Sequence, residues 1–242
     1  MKAPAAAVVQ ELVLANHILH AQGVVDGFGH VSRRHPDNAS HFLLSRSRAP
    51  ALVEAADIGV YDLEGRPLAQ VNGAPYLERF IHSEIYRARP DVMAIVHSHS
   101  ASVIPFGVTG QRLRPIFHMA GFLGSGSAHF EIRDAVGDSD LLVSTPALGR
   151  ALATSLGACS CALMRGHGST VVGHSLQQAV FRAVYTEVNA RMQATAMALG
   201  PVTYLSPNEA ERAATANDGQ IGRTWALWAH ALKQTPGQGC SG

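Results

Sequence analysis

Charge is scarce in this chain and evenly split. Only 15% of the 242 residues are charged, 19 Lys and Arg against 18 Asp and Glu, and no run of like charges offers a track for a phosphate backbone, which argues against nucleic acid as a partner. Cysteine is scarcer still. Cys159, Cys161 and Cys240 are an odd number with no disulfide framework, and the first two fall in an apolar stretch that reads as buried strand; a reducing cytoplasm fits best. No stretch approaches the roughly 18 unbroken apolar residues of a membrane span. Near the N-terminus, Gln10 and Glu11 interrupt the apolar pattern before a signal-peptide core could form, so the chain is expected to be neither exported by an obvious signal nor embedded in a membrane. Internal repeats are absent too.

Apolar residues, at 47%, are plentiful enough for a sizeable core, and the length suits one large α/β domain over 1–235 with a disordered tail over 236–242. Val9, Leu12, Val13, Asn16 and Leu19 share a helical face, and Gly23 stops the helix they predict over about 5–22. Gly27 to Ser32 reads as a glycine-punctuated strand start, answered by a strand at His41–Leu44. Ile58 to Gly65 running into Pro67-Leu68-Ala69 reads as a second hairpin. Leu77, Ile81, Ile85 and Tyr86 repeat at helical spacing from Pro75 to Arg87, which places Glu78 and His82 one turn apart on a helix.

Further along, Val92–Val96 is an apolar run of strand length. Thr145, Pro146 and Gly157 bracket a helix near 146–156, and Cys161–Met164 reads as a buried strand that delivers Arg165-Gly166-His167-Gly168. Ser175 with Gln178 reads as a capping box for a long helix ending at Gly200-Pro201, Ser206 to Glu209 starts another, and Trp225 and Trp228 mark a last one. Strands interleaved with helices, hairpins included, predict a three-layer α/β/α fold with a central mixed, largely antiparallel sheet.

Side chains two apart on a strand share a face, so His97 and His99 are placed to converge on one ion while Ser98 points away. Imidazole nitrogens bind zinc, iron, cobalt or manganese at roughly 2.0–2.2 Å, and a catalytic site keeps about three protein ligands with one position open. His167, at the end of another strand between two glycines, is the natural third. An isolated His-x-His pair is as readily explained by packing; His167 and an upstream Glu78 turn the balance toward a metal.

Glu78-x3-His82, Arg89-Pro90-Asp91, Val96-His97-Ser98-His99 and Gly166-His167-Gly168, in that order and at that spacing, resemble the class II aldolase/adducin family over roughly residues 8–200. That family includes fuculose- and rhamnulose-phosphate aldolases, ribulose-phosphate epimerases and decarboxylases of hydroxylated aromatic acids. The resemblance implies His97, His99 and His167 as ligands of one divalent ion per subunit (Zn, Mn, Fe or Co), Glu78 as the acid/base residue, and a C4 homotetramer with sites between adjacent subunits.

Departures from the phosphosugar pattern select a branch. Where those aldolases grip phosphate with a Gly-Asn, a Thr-Gly turn and a Ser-Ser pair, this chain has Gly29-His30, Ser45-Arg46-Ser47-Arg48 and Tyr76-Leu77. An aromatic and an aliphatic side chain suit a flat ring better than a phosphate, and two arginines can fork onto a carboxylate. The stretches Leu43–Pro50, Tyr76–His82 and Phe117–Gly121 resemble the decarboxylases of this superfamily that act on 3,4-dihydroxyphthalate or 3-hydroxy-2-methylpyridine-4,5-dicarboxylate. The expected activity is therefore metal-dependent, non-oxidative decarboxylation of an ortho-hydroxylated aromatic or pyridine dicarboxylate, with an aldolase or epimerase acting on a sugar acid or sugar phosphate as the alternative.

Candidate catalytic residues are Glu78, His30 and His118; candidate substrate contacts are Ser45, Arg46, Arg48 and Tyr76. His82 is read either as orienting Glu78 or as packing, and Arg79 more as a solvated or salt-bridged helix residue than as a substrate contact. Tyr185 and Glu187 are candidates to reach a neighbouring subunit's site, with helix packing or surface solvation as the other reading. Cys159 and Cys161 are better explained as small buried residues than as ligands.

Overall fold

A computed structural model describes residues 4–69 and 72–234. Helix α1 (Ala6–Ala21) leads into β1 (His30–His35), β2 (Asn38–Ser45) and β3 (Ile58–Asp62). Next come α2 (Arg79–Ala88), β4 (Ala94–Ser98), the short α3 (Ile104–Val108), β5 (Ala128–Phe130), the single turn α4 (Arg133–Val136) and α5 (Pro146–Leu156). Strands β6 (Cys161–Met164) and β7 (Gly168–Gly173) precede α6 (Leu176–Leu199), α7 (Pro207–Asp218) and α8 (Ile221–Gln234). The seven strands form one sheet in the order β3-β2-β1-β4-β7-β6-β5, in which every pairing is antiparallel except β5 with β6.

The two-residue alternation of a strand separates two cores. Leu43, Val96 and Val171 face one side, where α1, α6 and α8 pack, while Phe42, Leu44, Ile95 and Val172 face the other, where α2 and α5 pack. These are the three layers that the interleaved pattern predicts. The same alternation puts His97, two residues on from Ile95, on the α2/α5 side. His30 lies directly across the ladder from His97, and Ser32 across from Ile95.

Four expectations need correction. The helix predicted from Pro75 begins only at Arg79, with Glu78 as its N-cap. Pro75 bridges to Arg46, Ser47 N–H donates to the Ala74 carbonyl at 2.8 Å, and the Tyr76 hydroxyl donates to the Arg48 carbonyl at 2.5 Å; these tertiary ties hold the segment extended against its helical periodicity. The second hairpin shrinks to one bridge between Tyr61 and Pro67, bracketed by bonds from the Asp62 N–H to the Arg66 carbonyl at 3.0 Å and from the Leu68 N–H to the Val60 carbonyl at 2.8 Å. The Ser175 capping box is only half formed: the Ser175 hydroxyl oxygen accepts from Gln178 N–H at 3.1 Å, but the Gln178 side chain accepts from His174 N–H at 2.7 Å instead of from Ser175. The box at Ser206 and Glu209 is complete. Finally, Cys159 lies outside β6 and is half-buried, whereas Cys161 is buried in it and burial pushes its thiol up to about 12. Cys240 and the tail 236–242 lie outside the described residues.

Candidate active site

Four groups from three parts of the chain meet at one end of β4. His97 is the penultimate residue of that strand, paired on one side with His30 of β1 and on the other with Thr170 of β7. His99 is the first residue past the strand's end. His167 sits in the β6–β7 turn, its N–H donating to the Met164 carbonyl at 3.1 Å. Both flanking glycines are required there: Gly166 has a φ of +65°, and a Cβ on Gly168 would come within 2.1 Å of the Ser98 carbonyl oxygen. Glu78 enters from the N-cap of α2, aimed by the Val143 N–H, which donates to Glu78 Oε1 at 2.9 Å.

His99 Nε2 lies 3.2 Å from His97 Nε2 and 3.0 Å from His167 Nε2, and Glu78 Oε2 lies 3.5 Å and 3.4 Å from the same atoms of His97 and His167. All four ligand atoms fall within 4.8 Å of one another. Ligands about 2.0–2.1 Å from a tetrahedral ion stand about 3.3–3.4 Å apart, so the set has the dimensions of a coordination shell. The protonation states agree. Burial pushes His97 and His99 below the usual histidine range, which leaves neutral imidazoles with lone pairs to give. Burial also pushes Glu78 upward, but His97, His167 and the Val143 N–H outweigh it and bring the carboxyl down to about 2. Three nitrogens and a carboxylate form a borderline-soft donor set suited to zinc, manganese, iron or cobalt.

A cavity of about 340 Å³ opens beside this cluster, lined by Phe28, His30, Arg48, Tyr76, Leu77, Glu78, His99 and Leu142 among others. That is ample for a single substituted ring. His30 is 3% exposed, and its ring centroid lies 4.5 Å from that of Tyr76 and 4.9 Å from that of His97. Its Nδ1 meets His82 Nε2 at 2.6 Å, His82 Nδ1 meets Ser32 Oγ at 2.6 Å, and Ser32 Oγ lies 2.8 Å from the Tyr86 hydroxyl. His82 therefore supports His30 and makes no hydrogen bond to Glu78.

The substrate-side residues divide. Arg48 lines the cavity, while Arg46 does not. Both guanidiniums bind Asp57, Arg46 Nε at 2.6 Å and an Arg48 terminal nitrogen at 2.7 Å, so the loop is pinned and is no solvated turn. Burial pushes the Asp57 carboxyl up; the Glu54 N–H and the two arginines outweigh it and hold it below the usual value. Ser45 is fully buried behind Tyr76, its hydroxyl 3.5 Å from that of the tyrosine. Arg79 donates to the Gly65 and Tyr76 carbonyls at 2.7 and 2.9 Å and is a staple for the loop. His118 is exposed at the start of a 3-10 turn (His118–Leu123), where its carbonyl accepts from Asn217, and it is not part of the cavity wall.

Two features are not evident from sequence. His30, Ser32 and Arg34 form an alternating polar row on β1, and Arg34 donates to the Tyr86 and Arg89 carbonyls at the C-terminal end of α2 and to the Val92 carbonyl just beyond it. The alternation is visible in the sequence, but its partners on α2 are not. Glu187 is buried on α6 and accepts from the Ser100 and Ser102 hydroxyls, so neither surface solvation nor simple packing describes it. Tyr185 packs on Phe181, ring centroids 4.5 Å apart.

The sequence model of the family described as Class II Aldolase and Adducin N-terminal domain matches residues 10–194. The chain is 36% identical to the decarboxylase tropJ of Talaromyces stipitatus across 96% of this chain and 97% of that protein. It is 30% identical to a 3,4-dihydroxyphthalate decarboxylase of Arthrobacter keyseri across 92% of each. Among solved structures, an L-fuculose 1-phosphate aldolase from Glaciozyma antarctica PI12 superposes with a TM-score of 0.75 at 24% identity, covering 96% of this chain and 95% of that one, a likeness that speaks to the fold alone.

Proposed function

The chain belongs to the class II aldolase and adducin family, and from that premise we propose that it is a metal-dependent, non-oxidative decarboxylase of an aromatic or pyridine dicarboxylate with a hydroxyl beside a carboxylate, 3,4-dihydroxyphthalate being the type. It is a lyase, similar over nearly its whole length to proteins named as decarboxylases. The observation that carries the substrate class is the cavity wall. Phe28, Tyr76, Leu77 and Leu142 give flat apolar surfaces, Arg48 gives one cation, and no row of small hydroxyls stands before Glu78 to hold a phosphate.

His97, His99 and His167 would hold one divalent cation, which when bound supplies positive charge to the substrate oxygens it chelates and so draws electrons away from the carbon that loses CO2. Arg48, its guanidinium fixed by Asp57, binds the carboxylate that stays on the ring. Tyr76 and Leu77 hold the ring in place against the cavity wall. Glu78, ionised at rest, takes the proton of the ring hydroxyl on Oε2 and returns it to the carbon from which CO2 departs; solvent then reprotonates the product oxygen, so protons balance. His30 stands over the same cavity as a second proton donor. His118 has no place in this chain's own site and would act only across a subunit boundary, in the C4 tetramer that the family implies. Cys159 and Cys161 are free thiols, as a reducing compartment leaves them, and we assign the enzyme to the cytoplasm; no helix among the described residues is long and apolar enough to cross a membrane.

The test is CO2 release from hydroxylated phthalates and pyridine dicarboxylates, with metal-free and metal-restored protein. Release that requires metal is expected. Cleavage of a sugar acid or sugar phosphate to two carbonyl fragments, with no CO2 from any ring acid, would overturn the reading in favour of an aldolase.

A further inference from the structure

We propose that Glu187 is a positioning residue for His99, clamping the turn that carries this imidazole out of the sheet; the inference rests on the reading of His99 as a metal ligand. The three histidines are not held alike. His97 is locked between two neighbouring strands, and His167 sits in a tight turn tied at both ends to the β6–β7 ladder. His99 has neither support. The last ladder pair of β4 is Ser98 with Ser169, and the chain turns away immediately afterwards.

The residues just after His99 converge on one carboxylate. The Ser100 and Ser102 hydroxyls both donate to Glu187, and the Ser102 N–H reaches it at 3.3 Å. The Ser100 carbonyl meanwhile accepts from the Val103 and Ile104 N–H groups at 3.1 and 3.2 Å, closing the turn. Glu187 is 8% exposed, and among the described residues its oxygens are met by these serine donors and not by a cation. Burying a carboxylate on a helix face is unfavourable unless its oxygens are satisfied, and an apolar residue would fill the same space without that demand. The carboxylate is therefore best accounted for by what it holds.

Its neighbours on α6 do related work elsewhere. Asn189 and Gln193 bond the backbone of residues 112–116. They belong to the same row of buried polar groups but touch nothing near the cluster, which makes Gln193 a control for general loosening of α6.

The probe is Co2+ alone, titrated into metal-free full-length chain, reading the dissociation constant and the visible absorption of the bound ion. Glu187→Ala is expected to weaken Co2+ binding by about 10- to 100-fold, the usual range for a group that supports a metal ligand, and to shift the absorption band as His99 moves. Glu187→Gln should restore wild-type behaviour to within about threefold, because the amide oxygen accepts as before and a serine hydroxyl rotates to accept from its nitrogen. Ser100→Ala with Ser102→Ala attacks the clamp from the other side, leaves no hole in α6, and should weaken binding to the same order if Glu187→Ala does not fold. Gln193→Ala should leave Co2+ binding unchanged. Wild-type affinity and absorption in the Glu187→Ala chain, or an equal loss in Gln193→Ala, would overturn the clamp while leaving the metal site standing. A wild-type chain that takes up no Co2+ would overturn the metal site, and the clamp with it.

Discussion

His30 Nδ1 stands 2.6 Å from His82 Nε2, and that contact is the outer link of a buried chain running through Ser32 to the Tyr86 hydroxyl. With one hydrogen per gap such a chain has two directions. If Tyr86 donates to Ser32, every link runs the same way and His30 offers Nε2–H to the cavity; if the direction reverses, His30 offers a lone pair. His82 thus relays to His30 the tautomer that the direction of the chain sets. In His82→Phe we expect kcat to fall about tenfold through loss of this orientation, with metal content and KM unchanged. Steady-state kinetics on metal-loaded protein checks it, and an unchanged kcat removes His30 from the proton path.

The same burial sets a pH dependence of stability. Desolvation pushes His82 down to about 3 in the folded chain, with the Glu78 charge opposing, whereas an unfolded histidine titrates near about 6.5. Between these values the unfolded state binds more protons, so stability is complete above the unfolded value and is lost as pH falls. At pH 5 His82 alone lowers it by about 2 kcal/mol, and His30 and His97 act in the same direction. Denaturant melts of chelator-treated protein at pH 5 and 7 measure the difference; His82→Phe should shrink it, and a flat profile would contradict the burial argument.

The two arginines separate by position. Arg48 lines the cavity and Arg46 does not, though both bind Asp57. Arg48→Met is expected to weaken substrate binding by about 1.5–3 kcal/mol, the size of a charge-assisted hydrogen bond, and Arg46→Met to change KM by much less. Metal content should stay constant in both. Equal effects in the two variants would mean that the loop matters as a unit and that Arg48 makes no special contact.

Sequence periodicity carries the architecture because long amphipathic elements such as α6 and capped ones such as α5 and α7 are decided locally. It fails where distant partners decide. Nothing between Pro75 and Glu78 signals that Arg46 and Arg48 will hold that stretch extended, yet this is what moves Glu78 from the body of a helix to its N-cap. The cluster of His97, His99, His167 and Glu78 is readable from spacing and strand ends. The roles of Glu187 and His82 are not, because a buried polar side chain on a helix looks the same in sequence whether it faces solvent, a serine or another histidine.

Removing a metal ligand tests the cluster directly. With His97→Ala or His99→Ala the three-histidine set loses a ligand, and Glu78 would have to serve as the third, as a carboxylate does in two-histidine sites, and could not also move the proton; metal affinity should fall and activity disappear while the far-ultraviolet dichroism persists. Full metal occupancy in both variants, measured by elemental analysis after dialysis, would falsify the assignment.

Glu78 poses the finest distinction, because its Oε2 lies 3.5 and 3.4 Å from two ligand nitrogens while its Oε1 is engaged by the Val143 N–H. One oxygen is thus fixed by the backbone and the other is left to choose between the ion and a proton. Glu78→Gln keeps the shape and an acceptor for Val143 but cannot titrate. If Oε2 moves the proton, the metal should stay, substrate affinity should change little, and kcat should fall by about 10²–10⁴, the usual contribution of general acid–base catalysis. A turnover in D2O should place deuterium on the ring carbon that lost CO2, since that carbon must draw its proton from an exchangeable group. Loss of metal in Glu78→Gln would instead make Glu78 a permanent ligand. Near-wild-type turnover would hand the proton to His30, and the double variant with His82→Phe would then show the larger loss.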